Sequence, residues 1–129
     1  FLDTEVYRNR KIVFESSSNV PLKTDERLIE HAIHNVISNA LKYSSQDVEI
    51  ELVQLKGGKI QIRIKDRGIG IPENELSKIR TEFFRASNSS KHSGTGLGLY
   101  LVQSIMERLD GEIEIESIEN EGSTFKLTL

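Results

Sequence analysis

Apolar and polar residues alternate along several short runs of this chain. Residues 48–52 alternate between aliphatic side chains and glutamate, and residues 60–64 place isoleucine at every second position. A period of two is the pattern of a half-buried strand, and the Gly57-Gly58 pair between the two runs is a common hairpin signal. The pattern predicts three further short strands, at residues 11–15, 113–115 and 125–129. The sequence therefore predicts about five strands.

Two longer runs instead repeat their apolar residues with helical spacing. The first covers residues 24–43, with Thr24 as a candidate N-cap. Its apolar stripe consists of Ile29, Ile33, Val36, Ile37 and Ala40. The second covers residues 97–109, with Gly111 near its end, and Pro72 opens a shorter helix through about Ile79. Helices between hairpin-joined strands predict a two-layer α/β (α+β) sandwich, a mixed and mostly antiparallel sheet of about five strands with about three helices on one face.

Composition and charge limit the classes of protein to which the chain can belong. Its 129 residues are 36% hydrophobic and 29% charged, which is enough for one domain with a core. The formal net charge of -3 does not suit a broad nucleic-acid surface, and no apolar run reaches the roughly 20 residues that cross a bilayer. The chain has no cysteine and no signal peptide, and it begins at Phe1. We expect a monomeric, cytoplasmic piece of a longer protein, with no nucleic-acid partner and no direct membrane contact.

One edge of the first helix carries polar residues that suit a nucleotide. At about 100° per residue, one stripe bordering the apolar face contains Asn35, Asn39, Lys42 and Tyr43. Amide oxygens suit a hard cation such as Mg²⁺, lysine suits phosphate, and tyrosine offers a flat face for a base. The alternative is that these side chains only solvate the edge of a helix.

A carboxylate and two glycines follow the strand at residues 60–64. Asp66 shares the parity of the isoleucines and should face inward, where it needs a hydrogen-bond donor such as the exocyclic amine of adenine. Gly68 and Gly70 then allow a close approach of the backbone. The alternative is a carboxylate that caps its own turn, with glycines that serve only a tight strand-to-helix connection.

A second glycine-rich segment precedes the second long helix. Free amide groups and the helix dipole at such a terminus favour phosphate, which makes Gly94, Gly96 and Gly98 candidate phosphate contacts. Their spacing fits neither the Rossmann nor the Walker A pattern. Residues 85–95 are rich in serine, lack apolar periodicity and predict a mobile loop. The alternative is a flexible loop that merely ends at a helix.

Taken in order, these segments resemble the catalytic, ATP-binding domain of a bacterial-type sensor histidine kinase, of the GHKL (Bergerat-fold) superfamily. Asn35–Ser44 resembles the N box, Asp66–Pro72 the first glycine box and Gly94–Leu99 the second. Phe83-Phe84-Arg85 resembles the F box, and Gly122–Phe125 resembles the closing glycine–Ser/Thr signature. The resemblance covers essentially the whole chain and implies a single ATP-binding catalytic domain.

The resemblance implies a role for each matching residue. It implies that Asn39 coordinates Mg²⁺ and that Asn35 and Lys42 contact the phosphates. Tyr43 would lie along the adenine, and Asp66 would hydrogen-bond its amine. The implied catalytic residues are Asn35, Lys42 and Arg85. The implied cofactor-binding residues are Asn35, Asn39, Lys42, Tyr43, Asp66, Gly68, Gly70, Ile71, Arg85, Gly94, Thr95, Gly96, Leu97, Gly98, Leu99 and Thr124.

Residues 85–95 would form the ATP lid, with Arg85 at its base reaching the terminal phosphate. Two residues depart from the family pattern. Arg67 stands where the family often has Asn, and Arg80 stands where the F box usually has its first Phe. The second departure bears on how the lid docks and not on whether nucleotide binds.

Position 35 separates two activities within the superfamily. Hydrolytic members carry there a Glu that activates water, whereas the amide of Asn35 cannot accept a proton near neutral pH. The resemblance thus implies phosphoryl transfer to a histidine on a separate dimerization and phosphoacceptor hairpin, through which a response-regulator receiver domain is reached. His31, His34 and His92 do not lie where such an acceptor is expected. The alternatives are an anti-sigma-factor-type serine kinase and a nucleotide-binding regulatory module of the same fold.

Overall fold

The computed structural model describes residues 24–44, 47–78 and 98–129, and the backbone of residues 12–16. Several predictions fall outside these residues. They are the lid at 85–95, the F box with Arg80 and Arg85, His92, the end of the short helix at Ile79, and Gly94, Thr95, Gly96 and Leu97 of the second glycine box.

Five strands form one mixed sheet, as the alternating pattern predicts. They are β1 (Ile12–Ser16), β2 (Val48–Gln54), β3 (Ile60–Asp66), β4 (Glu112–Ile118) and β5 (Gly122–Thr128). Their order across the sheet is β1-β2-β3-β5-β4. β1 runs parallel to β2 and every other neighbouring pair is antiparallel. The fold class predicted from the sequence, a mixed and mostly antiparallel sheet with helices packed on it, is confirmed.

Two α-helices, α1 (Glu26–Tyr43) and α2 (Gly98–Arg108), pack against each other and on the sheet. The predicted N-cap of the first helix, Thr24, is wrong by one residue. Asp25 takes that position, and its Oδ1 accepts the amides of Arg27 at 3.0 Å and Leu28 at 3.1 Å. A carboxylate satisfies two free amides at once and also complements the positive end of the helix dipole.

The short helix predicted after Pro72 is a 3-10 helix at Glu73–Glu75, followed by a turn that the structure describes as far as Lys78. The backbone bonds there connect residues three apart, from Glu75 to Pro72 at 2.9 Å and from Lys78 to Glu75 at 2.9 Å. Among residues 73–78, Leu76 is the one that packs on the core, so this described stretch has no apolar stripe to stabilise an α-helix against the sheet. Within the described residues the helical layer therefore contains two α-helices.

The core lies between the helices and the inner face of the sheet. Alternate residues of the strands face inward, and in register Ile62 lies opposite Leu127 and Ile64 opposite Phe125. From α1, Val36, Ala40 and Leu41 are buried against this face, each contributing on the order of 1–3 kcal/mol through burial of apolar surface. The inward row of β3 ends at Asp66, so the packing that orders the strand also holds a carboxylate at the edge of the core.

Candidate nucleotide-binding site

Asp66 ends β3 on the core side of the sheet, as its parity predicts. The residue is only 5% exposed. The Gly68 amide donates to its Oδ1 at 2.9 Å, and the backbone amide of Ser123, opposite it on β5, also donates to the carboxylate. In the part of the chain that the structure describes, no cation pairs with this side chain. Arg67, the departure from the family pattern, turns instead to Glu49 at 3.3 Å.

Burial raises the pKa of the Asp66 carboxyl above its ordinary value, because the charged form loses water. The two backbone donors, Gly68 and Ser123, offset part of that rise. A buried carboxylate at a strand end, with amide donors and without a cation, remains able to accept a further donor. The alternative that Asp66 only caps its turn explains the Gly68 contact, but not the second backbone donor from Ser123 on β5.

The glycine-containing turn after Asp66 is held between two other segments. On one side the Ile69 amide donates to the Tyr43 carbonyl at the end of α1, at 3.1 Å. On the other side the Asn120 amide donates to the Ile69 carbonyl at 2.7 Å. A Cβ added at Gly68 would overlap the Tyr43 carbonyl oxygen, so the backbone approaches closely here, as the tight-turn alternative also predicts, and a role of Gly68 toward a ligand stays a prediction. The turn therefore brings Asp66 beside the end of α1, where the predicted phosphate and base residues lie.

The polar stripe of α1 borders the core, as predicted. Asn35, Asn39, Lys42 and Tyr43 are all partly exposed. The Asn35 amide nitrogen donates to the His31 carbonyl at 2.8 Å, which leaves its oxygen as an acceptor. The Asn39 side chain makes no hydrogen bond with any other described residue. Lys42 Nζ lies 5.5 Å from the centre of the Tyr43 ring, a distance at which a cation and an aromatic face attract.

Thr124 lies on the other face of the sheet and is not placed to join this site. It pairs in register with Lys65 and Glu116 and lies with Lys126 on a charged surface that faces away from the helices. The physical reason is the strand pleat, since Phe125 and Leu127 face the core and residues of opposite parity cannot. The hydroxyl residue of the closing signature that lies opposite Asp66 is its neighbour, Ser123, which is 7% exposed.

Sequence reasoning also missed Ser117 of β4. Its Oγ accepts the Ile71 amide at 2.8 Å and thus ties β4 to the end of the glycine-containing turn. Ser117 and Ser123 share the inward parity of Ile113 and Phe125 in their strands. A serine in an otherwise apolar inward row was the signal in the sequence that could have found both.

Other predicted site residues lie in or against the core. Ile71 and Leu99 are each 7% exposed and belong to the buried cluster. Gly70 is buried, and Gly98 begins α2. The predicted phosphate turn is thus described only at its last glycine, which stands at a helix N-terminus. His31 and His34 lie on α1, where His34 approaches the Ser38 hydroxyl at 3.5 Å.

A divalent cation here would need ligands from the nucleotide phosphates and water as well as from the protein. Among the described residues, no three His, Asp or Glu side chains gather into a group that could hold a metal. Mg²⁺ typically takes one or two protein oxygens together with substrate phosphates and water. The side-chain amide of Asn39 and the side-chain oxygen of Asn35, neither of which bonds to another residue in the described part of the chain, suit that type of site.

Within the described ranges, no helix is both long and apolar enough to pass through a bilayer.

The profile of the histidine kinase-, DNA gyrase B- and HSP90-like ATPases matches residues 24–129. The chain belongs to this family of ATP-binding domains, as the order of its motifs predicts.

The chain is similar in sequence to curated sensor kinases. The chain is 37% identical over 108 residues to the sensor-like histidine kinase SenX3 of Mycolicibacterium smegmatis, a match that covers 81% of this chain and 28% of SenX3. It is 36% identical over 125 residues to the adaptive-response sensory kinase SasA of Crocosphaera subtropica, covering 95% of this chain and 33% of SasA. The chain thus spans about a third or less of the length of these relatives.

Two solved structures share the fold. The mycobacterial sensor histidine kinase MprB superposes with a TM-score of 0.83 at 25% identity, covering 96% of this chain and 87% of that chain. The nucleotide-free catalytic domain of the histidine kinase ThkA superposes with a TM-score of 0.78 at 26% identity, covering 97% and 87% respectively. The chain is similar to the catalytic domains of sensor histidine kinases in both sequence and fold.

Proposed function

We propose that this chain is the ATP-binding catalytic domain of a two-component sensor histidine kinase, which transfers the γ-phosphoryl group of ATP to a histidine on a separate helical hairpin. The observation that carries the proposal is the buried carboxylate of Asp66 beside the polar edge of α1. The backbone bond between the turn after Asp66 and the end of α1 supports the proposal, because it brings a candidate base acceptor near the candidate phosphate and metal ligands.

Asp66 recognises adenine in this proposal. Its carboxylate accepts a hydrogen bond from the exocyclic amine, which replaces the water lost on burial. Ser123 supplies the neighbouring hydroxyl in place of Thr124, because it lies on the same face and directly opposite Asp66. Tyr43 lies along the base, and the turn at Gly68 and Gly70 forms the wall of the pocket.

The polar edge of α1 binds the phosphates and Mg²⁺. Asn39 and Asn35 offer amide oxygens, and Lys42 supplies a positive charge at the end of the same helix. Bound Mg²⁺ would neutralise part of the triphosphate charge. The residues of the chain contribute by positioning the triphosphate, since phosphoryl transfer depends mainly on alignment and charge stabilisation. Arg85, the second glycine box and the lid at 85–95 complete the phosphate site in the proposal.

The acceptor lies outside this domain. Asn35 provides no carboxylate to activate water, so the site should hold ATP without hydrolysing it efficiently. His31 and His34 lie on α1, four residues and one residue from Asn35 respectively, and neither is followed by an acidic residue on a helical hairpin. We therefore propose a dimerization and phosphoacceptor hairpin of the same full-length protein as the partner, a receiver domain as the next acceptor, and the cytoplasm, where ATP is found, as the location.

A labelling experiment tests the transfer. The chain is incubated with Mg²⁺ and γ-labelled ATP, alone and with the helical hairpin of its own full-length protein. We expect acid-labile label on the hairpin and none on the chain alone. The matched control is the Asp66→Asn variant, which should label the hairpin more slowly at limiting ATP. Acid-labile label on the chain alone would contradict the separation of catalyst and acceptor. Acid-stable label on serine would indicate a kinase of the anti-sigma-factor type.

Asn39→Ala should weaken the Mg²⁺-dependent part of ATP binding by at least about tenfold, because it removes a ligand of the metal. Binding of adenosine should stay within about twofold, since the base pocket is unchanged. Calorimetric titrations with and without Mg²⁺ measure both quantities. Asn74→Ala, on the exposed 3-10 helix, serves as the control and should change neither. An unchanged metal dependence in Asn39→Ala would remove Asn39 as a ligand.

A further inference from the structure

Two serine hydroxyls meet beside the base pocket proposed above. The Oγ atoms of Ser117 and Ser123 are 2.7 Å apart. Ser117 Oγ also lies 3.0 Å from the Gly122 carbonyl oxygen and 2.8 Å from the Ile71 amide nitrogen, which donates to it. One hydroxyl therefore has three hydrogen-bond neighbours, one from the end of the glycine-containing turn and two from the first residues of β5.

The three contacts can coexist in only one arrangement of protons. A hydroxyl has one proton and two lone pairs, and a carbonyl oxygen can only accept. The single proton of Ser117 must therefore go to the Gly122 carbonyl, because nothing else can complete that bond. One lone pair of Ser117 takes the Ile71 amide proton. The other is left to accept the hydroxyl proton of Ser123. That proton points to Ser117, so Ser123 offers only lone pairs to any other neighbour.

We propose that Ser117 is a specificity-positioning residue, which directs the Ser123 hydroxyl proton away from the base pocket and makes Ser123 an acceptor there. The inference rests on the proposed function, in which Asp66 and Ser123 face the nucleotide base. Ser123 lies opposite Asp66 in register, and its backbone amide donates to that carboxylate. With Ser117 in place, the carboxylate and the hydroxyl oxygen are two acceptors side by side.

Both acceptors face the group at the six-position of the base in this proposal, where they favour an amine, which has two protons to donate, and disfavour a carbonyl, which has none. Adenine presents an amine at its six-position, and hypoxanthine presents a carbonyl oxygen there. Without the Ser117 hydroxyl, the Ser123 proton would be free to rotate and to donate to that carbonyl. Loss of Ser117 should therefore reduce the preference for adenine over hypoxanthine, an effect that simple loss of stability does not produce.

ADP and IDP form the matched pair of probes, at constant Mg²⁺, with affinities measured by calorimetry. We expect the unmodified chain to prefer ADP. In Ser117→Ala that preference should shrink by about five- to tenfold, mainly through tighter IDP binding, since the freed Ser123 hydroxyl can then donate one neutral hydrogen bond to the hypoxanthine carbonyl. Ser117→Thr keeps the hydroxyl and should restore the preference. If Ser117→Ala does not fold, Ser117→Cys is measured instead, because a thiol is a weak donor and acceptor.

Thr128→Val is the control for stability. It removes the bond that the Gln61 side chain donates to the Thr128 hydroxyl at 3.1 Å, at the other end of β5 from Ser123. It should lower the melting temperature and leave the ADP-to-IDP preference unchanged. An unchanged preference in Ser117→Ala, or an equal loss in Thr128→Val, would overturn the inference while ADP binding by the unmodified chain still supports the proposed function. If the unmodified chain binds neither nucleotide, the proposed function fails and this inference fails with it.

Discussion

Gly70→Ala should destabilise the folded chain by about 3 kcal/mol or more and weaken ADP binding at least tenfold. Gly70 has a φ of 68°, where a side chain with a Cβ costs roughly 1–2 kcal/mol. A Cβ at this position would also overlap the Ile118 carbonyl oxygen and approach the Glu119 Cα at 2.9 Å. Both atoms are backbone, so the β4–β5 turn must move away from the pocket. Chemical denaturation and calorimetry measure the two effects.

Gly57→Ala separates the cost of a positive φ from the cost of steric overlap. Gly57 has a φ of 86° in the hairpin between β2 and β3, and no atom lies within 4 Å of a Cβ placed there. It should lose only the conformational part, about 1–2 kcal/mol, and keep normal ADP affinity. Equal losses in Gly57→Ala and Gly70→Ala would show that the β4–β5 turn yields freely and does not hold the pocket in place.

The periodic features of the fold could be predicted because each depends on neighbouring residues. Alternation gave the strands, and the parity of Asp66 with Ile60, Ile62 and Ile64 correctly predicted a buried carboxylate. Thr124 was assigned from a family signature, which identifies a segment and not a face of the sheet. The pleat decides the face, and because Phe125 and Leu127 face the core, Ser123 and not Thr124 is the hydroxyl residue on the side of Asp66.

Contacts between distant segments could not be predicted in the same way. The Ile69 amide meets the Tyr43 carbonyl, and the Ile71 amide meets Ser117, which is 46 residues away in the sequence. Such contacts depend on the strand order, in which β5 lies between β3 and β4. The sequence pattern also could not decide which of two neighbouring residues caps α1. Thr24 and Asp25 both suit an N-cap, and their capping free energies differ only slightly.

Asp66→Asn should weaken ADP binding by about tenfold to a hundredfold, or roughly 1–3 kcal/mol, because a charged acceptor is replaced by a neutral amide. The asparagine side chain also carries an NH2 group, and this donor cannot form a hydrogen bond with the donating amine of adenine. Asp110→Asn is the matched control, at an exposed position after α2 with a φ of 55° that asparagine adopts as readily as aspartate. It should leave ADP binding unchanged. Equal ADP affinities in Asp66→Asn and the unmodified chain would contradict the assignment of Asp66 to the base.

The same Asp66→Asn substitution should make the nucleotide-free chain more stable, and increasingly so as the pH rises. Burial raises the pKa of the Asp66 carboxyl in the folded state, so between its ordinary pKa and this raised value the folded chain holds a proton that the unfolded chain has released. Stability contributed by this group is complete below the ordinary pKa of aspartate, falls as pH rises toward the folded pKa, and does not recover above it. Asparagine has no proton to lose.

Denaturation from about pH 4 upward measures the difference in free energy of unfolding between Asp66→Asn and the unmodified chain. This difference should increase with pH and then level off, because the contributions of the carboxylates that both chains share cancel. A difference that stays constant with pH would show that the buried carboxyl is not desolvated as its position indicates, and that binding specificity at this residue carries no cost in stability.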